Sequence, residues 1–453
     1  MKIRAFLFCL LVSFSFSFRV QAQVIITVSG ITTEGYAGDG GLAIHCQMHW
    51  PEAIALDETG HIFIADAINN VIRKIDGNGI IHTVVGSGFE WGTGEGGFGG
   101  DGGPASAAWL NYPSGVALDT AGNMYIADRK NSRIRKVNTA GVISTFAGNG
   151  TVGYTGDGAA AAAAQLDSPT RVKVDLAGNV YIADAGNNAI RKVDLSGNIS
   201  TIAGNGTAGF GGDGGPAGSA LLNAPQDMAV DSTGILYIAD YKNSRIRKVD
   251  LSGNISTIAG IAYPGYSGDS GMATNANIFE PTGIACDPAG NIYFSDFANA
   301  RIRKINAVTN VITTFAGNGI QGYGGDNGPA KSAKIYFPQG LAINSAGGVY
   351  ICDKGNNRLR YASTTLGTPS PIVDPVGVKI FPNPGEGQFT VNIRSEFDEP
   401  VQLTFSNIAG QKIKEFSVAT NLQLTLDIDA PPGIYILSAF TAHGVVNSKL
   451  FIR

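Results

Sequence analysis

Histidine, cysteine and tryptophan are scarce in this chain: its 453 residues hold 5 His, 4 Cys and 3 Trp, and only 15% are charged. Each shortage excludes something. His443 lies near the C-terminus and the other four, His45, His49, His61 and His82, crowd into one early stretch, so three imidazoles cannot converge from separate regions on an axial zinc. Cys9 falls in the N-terminal apolar run, without the small-residue pair of a lipoprotein cleavage box. Three Cys remain, an odd number without paired spacing, which argues against a disulfide framework. The formal charge is −4; with residues 1–22 set aside (Lys2, Arg4, Arg19 and no acid), 29 basic residues face 36 acidic ones, a net of −7. Nucleic acid is therefore excluded as a partner. The apolar run Ala5–Phe18 is too short to span a bilayer. With its basic start and Val20-Gln21-Ala22 it reads as a signal peptide over residues 1–22, and no transmembrane segment is expected.

Glycine is what the chain has in excess, with 62 residues, and it punctuates a repeat of about 56 residues. The cleanest copy runs from Asn205 to Gly260. The Asp of a GDG-type loop recurs as Asp39, Asp101, Asp157, Asp213, Asp269 and Asp326, and a second Asp follows 27 residues later as Asp66, Asp128, Asp184, Asp240, Asp296 and Asp353. An Asn follows the second Asp by three positions and an Arg by seven (Arg73, Arg135, Arg191, Arg247, Arg303, Arg360). Each copy reads as four short strands, MAVD, LYIAD, RIRKVD and ISTIAG, separated by tight turns. One such meander cannot bury both faces, so the expectation is an all-β, six-bladed propeller over residues 23–361. The sixth copy stops after its third strand, and Ile25–Gly30 (IITVSG) matches the missing fourth. The N-terminal strand should therefore close the last blade and leave no open edge. Cys286 and Cys352 stand where other copies carry Leu, Val, Ala or Ser and are read as small buried hydrophobes.

These motifs, the (Y/F)xGDGGPA loop, Pro-x-Gly-(Val/Ile)-Ala-x-Asp, Gly-Asn-x-Tyr-Ile-Ala-Asp and Asn-x-Arg-Ile-Arg-Lys-Val, resemble bacterial NHL repeats over about residues 24–361. The resemblance implies a six-bladed propeller and leaves activity open, because such propellers serve binding proteins, lyases and lactonases alike. A Pro/Ser/Thr-rich linker is expected over residues 362–377, and a small β-sandwich over 378–453. There Phe381-Pro382-Asn383-Pro384, Gly387, Phe389-Thr390, Gly410, Pro432-Gly433-Ile434-Tyr435 and Lys449-Leu450-Phe451 are similar to type A sorting domains of the type IX secretion system. That resemblance implies export across the outer membrane, with the cargo released or held at the surface. An adhesive immunoglobulin-like module is the alternative.

Three places could carry chemistry. The GDG loops and the Asp-x-x-Asn turns share one face, giving it two rings of carboxylates where calcium is conceivable. The plainer reading makes each first Asp the cap of a short helix of the GPAGSAL type and each second Asp a brace of its turn, with the Arg seven residues on as a further partner. The channel mouth should be lined by the residues after each blade's Pro, Glu52, Ser114, Thr170 with Arg171, Gln226 with Asp227, Thr282 and Gln339. A calcium site from Glu52, Gln226 and Asp227 is the second candidate, resembling those of gluconolactonase-like propellers. His45-Cys46-x-x-His49 has metal-like spacing but lacks further ligands beyond Glu52. The third candidate is where the symmetry breaks: Gly86 to Asp101 spans fifteen residues where the other loops span nine, bringing in Phe89, Glu90, Trp91 and Glu95. Trp50, His49, Trp109 and Tyr112 fall in this loop or its neighbour, and aromatic planes with acids suit a sugar or an aromatic side chain.

The sequence thus reads as a secreted or surface propeller, a monomer, that binds an extracellular protein or carbohydrate and engages type IX machinery through its tail. No catalytic residue is assigned, nor a cofactor beyond the conceivable calcium. The alternative is an extracellular metal-dependent hydrolase, lactonase or lyase using the channel.

Overall fold

The computed structural model describes residues 23–452 apart from 89–91, 94, 262, 364–375, 382–387, 396–399, 408–410, 420–422 and 442–443. The leader expected over residues 1–22 and most of the linker expected over 362–377 lie outside the described residues.

Each repeat folds into an antiparallel sheet whose four strands lie in chain order, for example Asp227–Val230, Leu236–Asp240, Arg245–Val249 and Ile255–Ala259. The turns explain the strand boundaries. Asp231 accepts the Thr233 and Ile235 amides on its carboxylate at 2.9 and 3.0 Å and the Gly234 amide on its carbonyl at 3.0 Å, so the chain reverses there without orphaned donors. The second strand of every repeat is buried along its whole length, which is why it reads as continuous apolar sequence rather than an alternation.

Among the described residues five sheets have this order, and a sixth holds five strands. In the last, Pro338–Ile343, Val349–Asp353 and Arg358–Ser363 are completed by Val24–Ser29. Val24 lies opposite Ser363 and Thr27 opposite Arg360, and the Ile25 side chain is fully buried. The first strands of successive sheets lie side by side: Pro51–Leu56 rests against Pro113–Leu118 on one side and against Pro338–Ile343 on the other. Their approach is close enough to dictate glycine. A Cβ on Gly283 would stand 2.1 Å from the Gln339 carbonyl oxygen, and one on Gly340 would stand 2.7 Å from that of Glu52.

The helix expected in each GDG loop is a single 3-10 turn, such as Ala217–Ser219. Pro216 precedes that turn instead of occupying its first position, and no side chain caps it. The first aspartates are therefore not helix caps.

The C-terminal strands form two sheets. Val376–Phe381, Gln388–Ser395 and Gln423–Asp427 make one; Lys412–Ala419, Pro400–Asn407, Gly433–Thr441 and Gly444–Ile452 make the other. Phe389 and Val391 of the first sheet share a buried core with Leu403, Phe405 and Leu437 of the second, the packing of a sandwich.

Candidate functional site

The recurrent arginine is the hub of each blade. Arg247 lies fully buried, its Nη2 donating to Asp213 at 2.7 Å and its Nη1 to Asp240 at 3.2 Å. Asp240 also accepts the Asn243 amide group at 2.8 Å and the Asn223 backbone N–H at 2.8 Å. Arg73, Arg135, Arg191, Arg303 and Arg360 make the same pair of bridges to Asp39 and Asp66, Asp101 and Asp128, Asp157 and Asp184, Asp269 and Asp296, and Asp326 and Asp353. Burial pushes the Asp240 carboxyl up to about 6 against the pull of these donors. The two carboxylate rings are thus bridged by guanidinium in every blade, and a calcium ion there would have to displace an arginine.

The residues expected to line an open channel mouth are mostly buried, forming a polar plug. Arg171, 3% exposed, reaches across the axis. Its Nη2 donates to the Glu52 carbonyl at 2.7 Å and its Nη1 to the carbonyls of Ser114 and Thr170, while its Nε lies 3.8 Å from Asp227. Ser114 and Thr170 continue the ring by donating to the Thr170 and Gln226 carbonyls, both at 2.9 Å. Glu52 is the centre of charge: Lys354 donates to it at 2.7 Å, the Tyr112 hydroxyl donates at 2.9 Å, and Arg171 stands 3.7 Å away. Burial acts to raise the Glu52 carboxyl, but Lys354 and Arg171 outweigh it and hold the group at about 2. Burial and the facing carboxylate push the Tyr112 hydroxyl far up.

Above the plug stands a ring that the sequence did not announce. The residue before each blade's proline adopts a left-handed backbone: Trp50 (φ 59), Tyr112 (φ 55), Ser168 (φ 47), Ala224 (φ 49), Glu280 (φ 55) and Phe337 (φ 51). Four of these six strained residues, Trp50, Tyr112, Ala224 and Glu280, donate their backbone N–H to a side chain of the preceding blade. The Asn357 side-chain oxygen accepts the Trp50 N–H at 3.1 Å, and Asn70 and Asn188 do the same for Tyr112 and Ala224 at 2.8 and 2.9 Å. The ring is lopsided, with Phe337, Trp50 and Tyr112 on three consecutive blades and small residues at Ser168 and Ala224. Phe337 stacks on Phe297 at 4.8 Å and on Tyr336 at 4.2 Å. Trp50 is 41% exposed, with the Lys354 ammonium 4.5 Å from its ring.

Of the other candidates from the sequence, His49 sits edge-on to Trp50 at 6.0 Å and pairs with Glu34 at 3.3 Å. Glu95 pairs with Lys130 at 3.2 Å, and that ammonium lies 5.8 Å from the Tyr112 ring. Trp109 rests against Gly99 of its own loop. Phe89, Glu90 and Trp91 lie outside the described residues. Cys46 is buried in the core beside Ser29 and Met48, away from any shared site with His49. Lys354 was missed; the signal was that one blade alone carries Lys directly after its second Asp.

Comparison with known proteins agrees with this architecture. The teneurin NHL domain family matches residues 30–93, 93–153 and 206–264, and the NHL repeat family matches 336–360. The secretion system C-terminal sorting domain matches residues 379–453. The chain carries NHL repeats and a C-terminal sorting domain. The NHL region is 30% identical over 339 residues to SUPPRESSOR OF QUENCHING 1 of Arabidopsis thaliana, covering 72% of this chain and 31% of that protein. It is 32% identical over 233 residues to chicken teneurin-1, covering 46% of this chain and 8% of that one. The chain thus spans under a third of the curated relatives it matches. Solved structures share the fold: an auxiliary nutrient binding protein of Bacteroides ovatus superposes with a TM-score of 0.55 at 15% identity over 76% of this chain and 77% of that one. A second, from Bacteroides thetaiotaomicron, gives 0.53 at 16% identity over 75% and 76%.

The NHL propeller's axis does not fit the calcium that its resemblance to lactonase-like propellers implied. Glu52 already faces two cations, Asp227 accepts the Met228 and Ile284 amides at 2.8 and 3.2 Å, and a guanidinium lies between the two carboxylates. Among the described residues no three His, Cys, Asp or Glu side chains gather as metal ligands.

Proposed function

We propose that the protein is an exported propeller that binds an extracellular carbohydrate or peptide on the face carrying Phe337, Trp50 and Tyr112. The sorting domain supports export to the cell surface or release, and no helix among the described residues is long and apolar enough to cross a membrane. The observation that carries the reading is the aromatic half-ring above a sealed floor. Trp50 is exposed and Phe337 and Tyr112 are half-buried; such rings offer apolar area at small entropic cost, and Lys354 and Lys130 beside Trp50 and Tyr112 supply hydrogen-bonding groups. Glu95, paired with the Lys130 ammonium that stands 5.8 Å from the Tyr112 ring, lies on the same side. A hydrolase or lyase working through the channel finds less support, because Glu52, Asp227 and Arg171 are already paired with one another.

The test is a titration of oligosaccharides and aromatic peptides against the mature protein, followed by tryptophan fluorescence. Trp50→Ala and Phe337→Ala should each weaken binding at least about tenfold, the scale of losing one buried aromatic contact. Unchanged affinity in both would place the ligand elsewhere.

A further inference from the structure

The axis has a second end. Below the Arg171 plug, on the side of the Asp-x-x-Gly turns, lies a cavity of about 260 Å³. Five alanines line it, Ala55, Ala117, Ala229, Ala285 and Ala342, one from the first strand of each of five blades. The remaining blade, the third, places Lys173 at the equivalent position. Branched side chains such as Leu118 and Ile343 form the outer rim.

Arg171, Lys173 and Lys354 pair with the two axial carboxylates, Glu52 and Asp227. Glu52 is matched by Lys354 and Arg171, and Asp227 by two backbone amides and Arg171. Lys173 is left with Asp227 at 3.9 Å, beyond hydrogen-bond reach, and its side chain is 25% exposed. An ammonium in an alanine-lined pocket, with its carboxylate partner Asp227 as far away as 3.9 Å, keeps N–H donors available to a bound anion.

We propose that this cavity binds a short-chain aliphatic carboxylate. The carboxylate would accept hydrogen bonds from the Lys173 ammonium, and the alkyl chain would displace water from the alanine wall and the branched rim. The small volume selects short chains over the drug-sized ligands of larger clefts. This site is separate from the aromatic face and lies on the other side of the plug.

Calorimetric titration of the mature protein with acetate, butanoate and hexanoate, alongside hexanol and hexylammonium, tests the assignment. Affinity should rise by about fourfold per added methylene, the transfer free energy of a buried CH₂, and neither hexanol nor hexylammonium should match hexanoate. Lys173→Met, which keeps the apolar stem, should weaken hexanoate at least tenfold. Ala117→Leu should do the same by filling the cavity, and thermal melts would confirm that both variants fold. Absence of saturable hexanoate binding, a flat chain-length series, or equal affinity in Lys173→Met would overturn the proposal. Because the parent series alone can fail, it stands or falls even if a variant does not fold.

Discussion

The Arg171 guanidinium donates to the Glu52 backbone carbonyl at 2.7 Å, joining residues 119 positions apart across the axis of the ring. One side chain from one blade therefore ties its own sheet to the first and, through the Ser114 carbonyl, to the second. What would ordinarily be a passage is closed by charge and hydrogen bonds instead of by bulk.

Replacing Arg171 with Met should be severely destabilising. It leaves the buried carboxylates of Glu52 and Asp227 short of a partner, and removing one member of a buried ionic network costs about 3–5 kcal/mol. Denaturant melts of the parent and the variant measure the loss. A change below about 1 kcal/mol would mean that Arg171 fills space without holding the blades.

Acid should act through Glu52. Its carboxyl is held at about 2, below the ordinary 4.5, so its contribution is fully present above pH 4.5 and is lost as pH falls from there toward 2. The shift corresponds to roughly 3 kcal/mol at neutral pH. Comparison of the parent with Glu52→Gln across this range should show the parent's advantage shrinking as the solution is acidified. A difference independent of pH would show that the carboxylate is not the stabilising form.

Removal of Val24–Gly30 should expose the edge of Arg358–Ser363 and uncover the core around Ile25. Burying large apolar side chains such as Ile25 and Val28 is worth about 1.5–3 kcal/mol each, a large part of the 5–15 kcal/mol that holds a domain. The truncated protein is expected to melt far earlier or to aggregate. An unchanged melting curve would separate the N-terminal strand from the stability of the ring.

Residues 378–453, fused behind an unrelated passenger with its own signal peptide, should carry that passenger to the surface of a host with type IX machinery. Fractionation of cells and medium gives the answer. Continued export of the propeller after these residues are removed would overturn their role as an address.

The repeat was legible because it is periodic. Asp213, Asp240 and Arg247 recur at fixed offsets, and periodicity reveals strands, blades and the missing edge strand without any knowledge of contacts. The pairing of Asp240 with the Arg seven residues on was legible and is present at 3.2 Å, but that of Asp213 was not: it looked like a helix cap beside Pro216, and only the fold brings it to an arginine 34 positions away. The plug was hidden for the opposite reason. Arg171 and Lys173 each occur in one copy out of six, so a reading tuned to recurrence places Arg171 only among the residues lining an open mouth and passes over Lys173. Aligned copies place Ala53, Gly115, Gly283 and Gly340 opposite Arg171, with Asp227 as the sole acid. That oppositely charged pair among small residues was the available sign that something crosses the axis. The left-handed residues before each proline left no sign at all, since ordinary preferences steer that position toward extended backbone.

The partnership between the first strand and the last also sets the order of events during folding. The Arg358 guanidinium bonds the Gly30 carbonyl across a separation of 328 positions, whereas each blade's own hairpins close over a few residues. Local sheets can form as soon as their residues are available, but the seam waits for both chain ends, and contacts so distant in sequence are slow to form. Until then Val24–Ser29 is a free strand beside an unpaired edge, and the same pairing is open to a second copy of the chain. Crowded refolding should therefore favour dimers that exchange their first strands, while dilute refolding favours the closed ring.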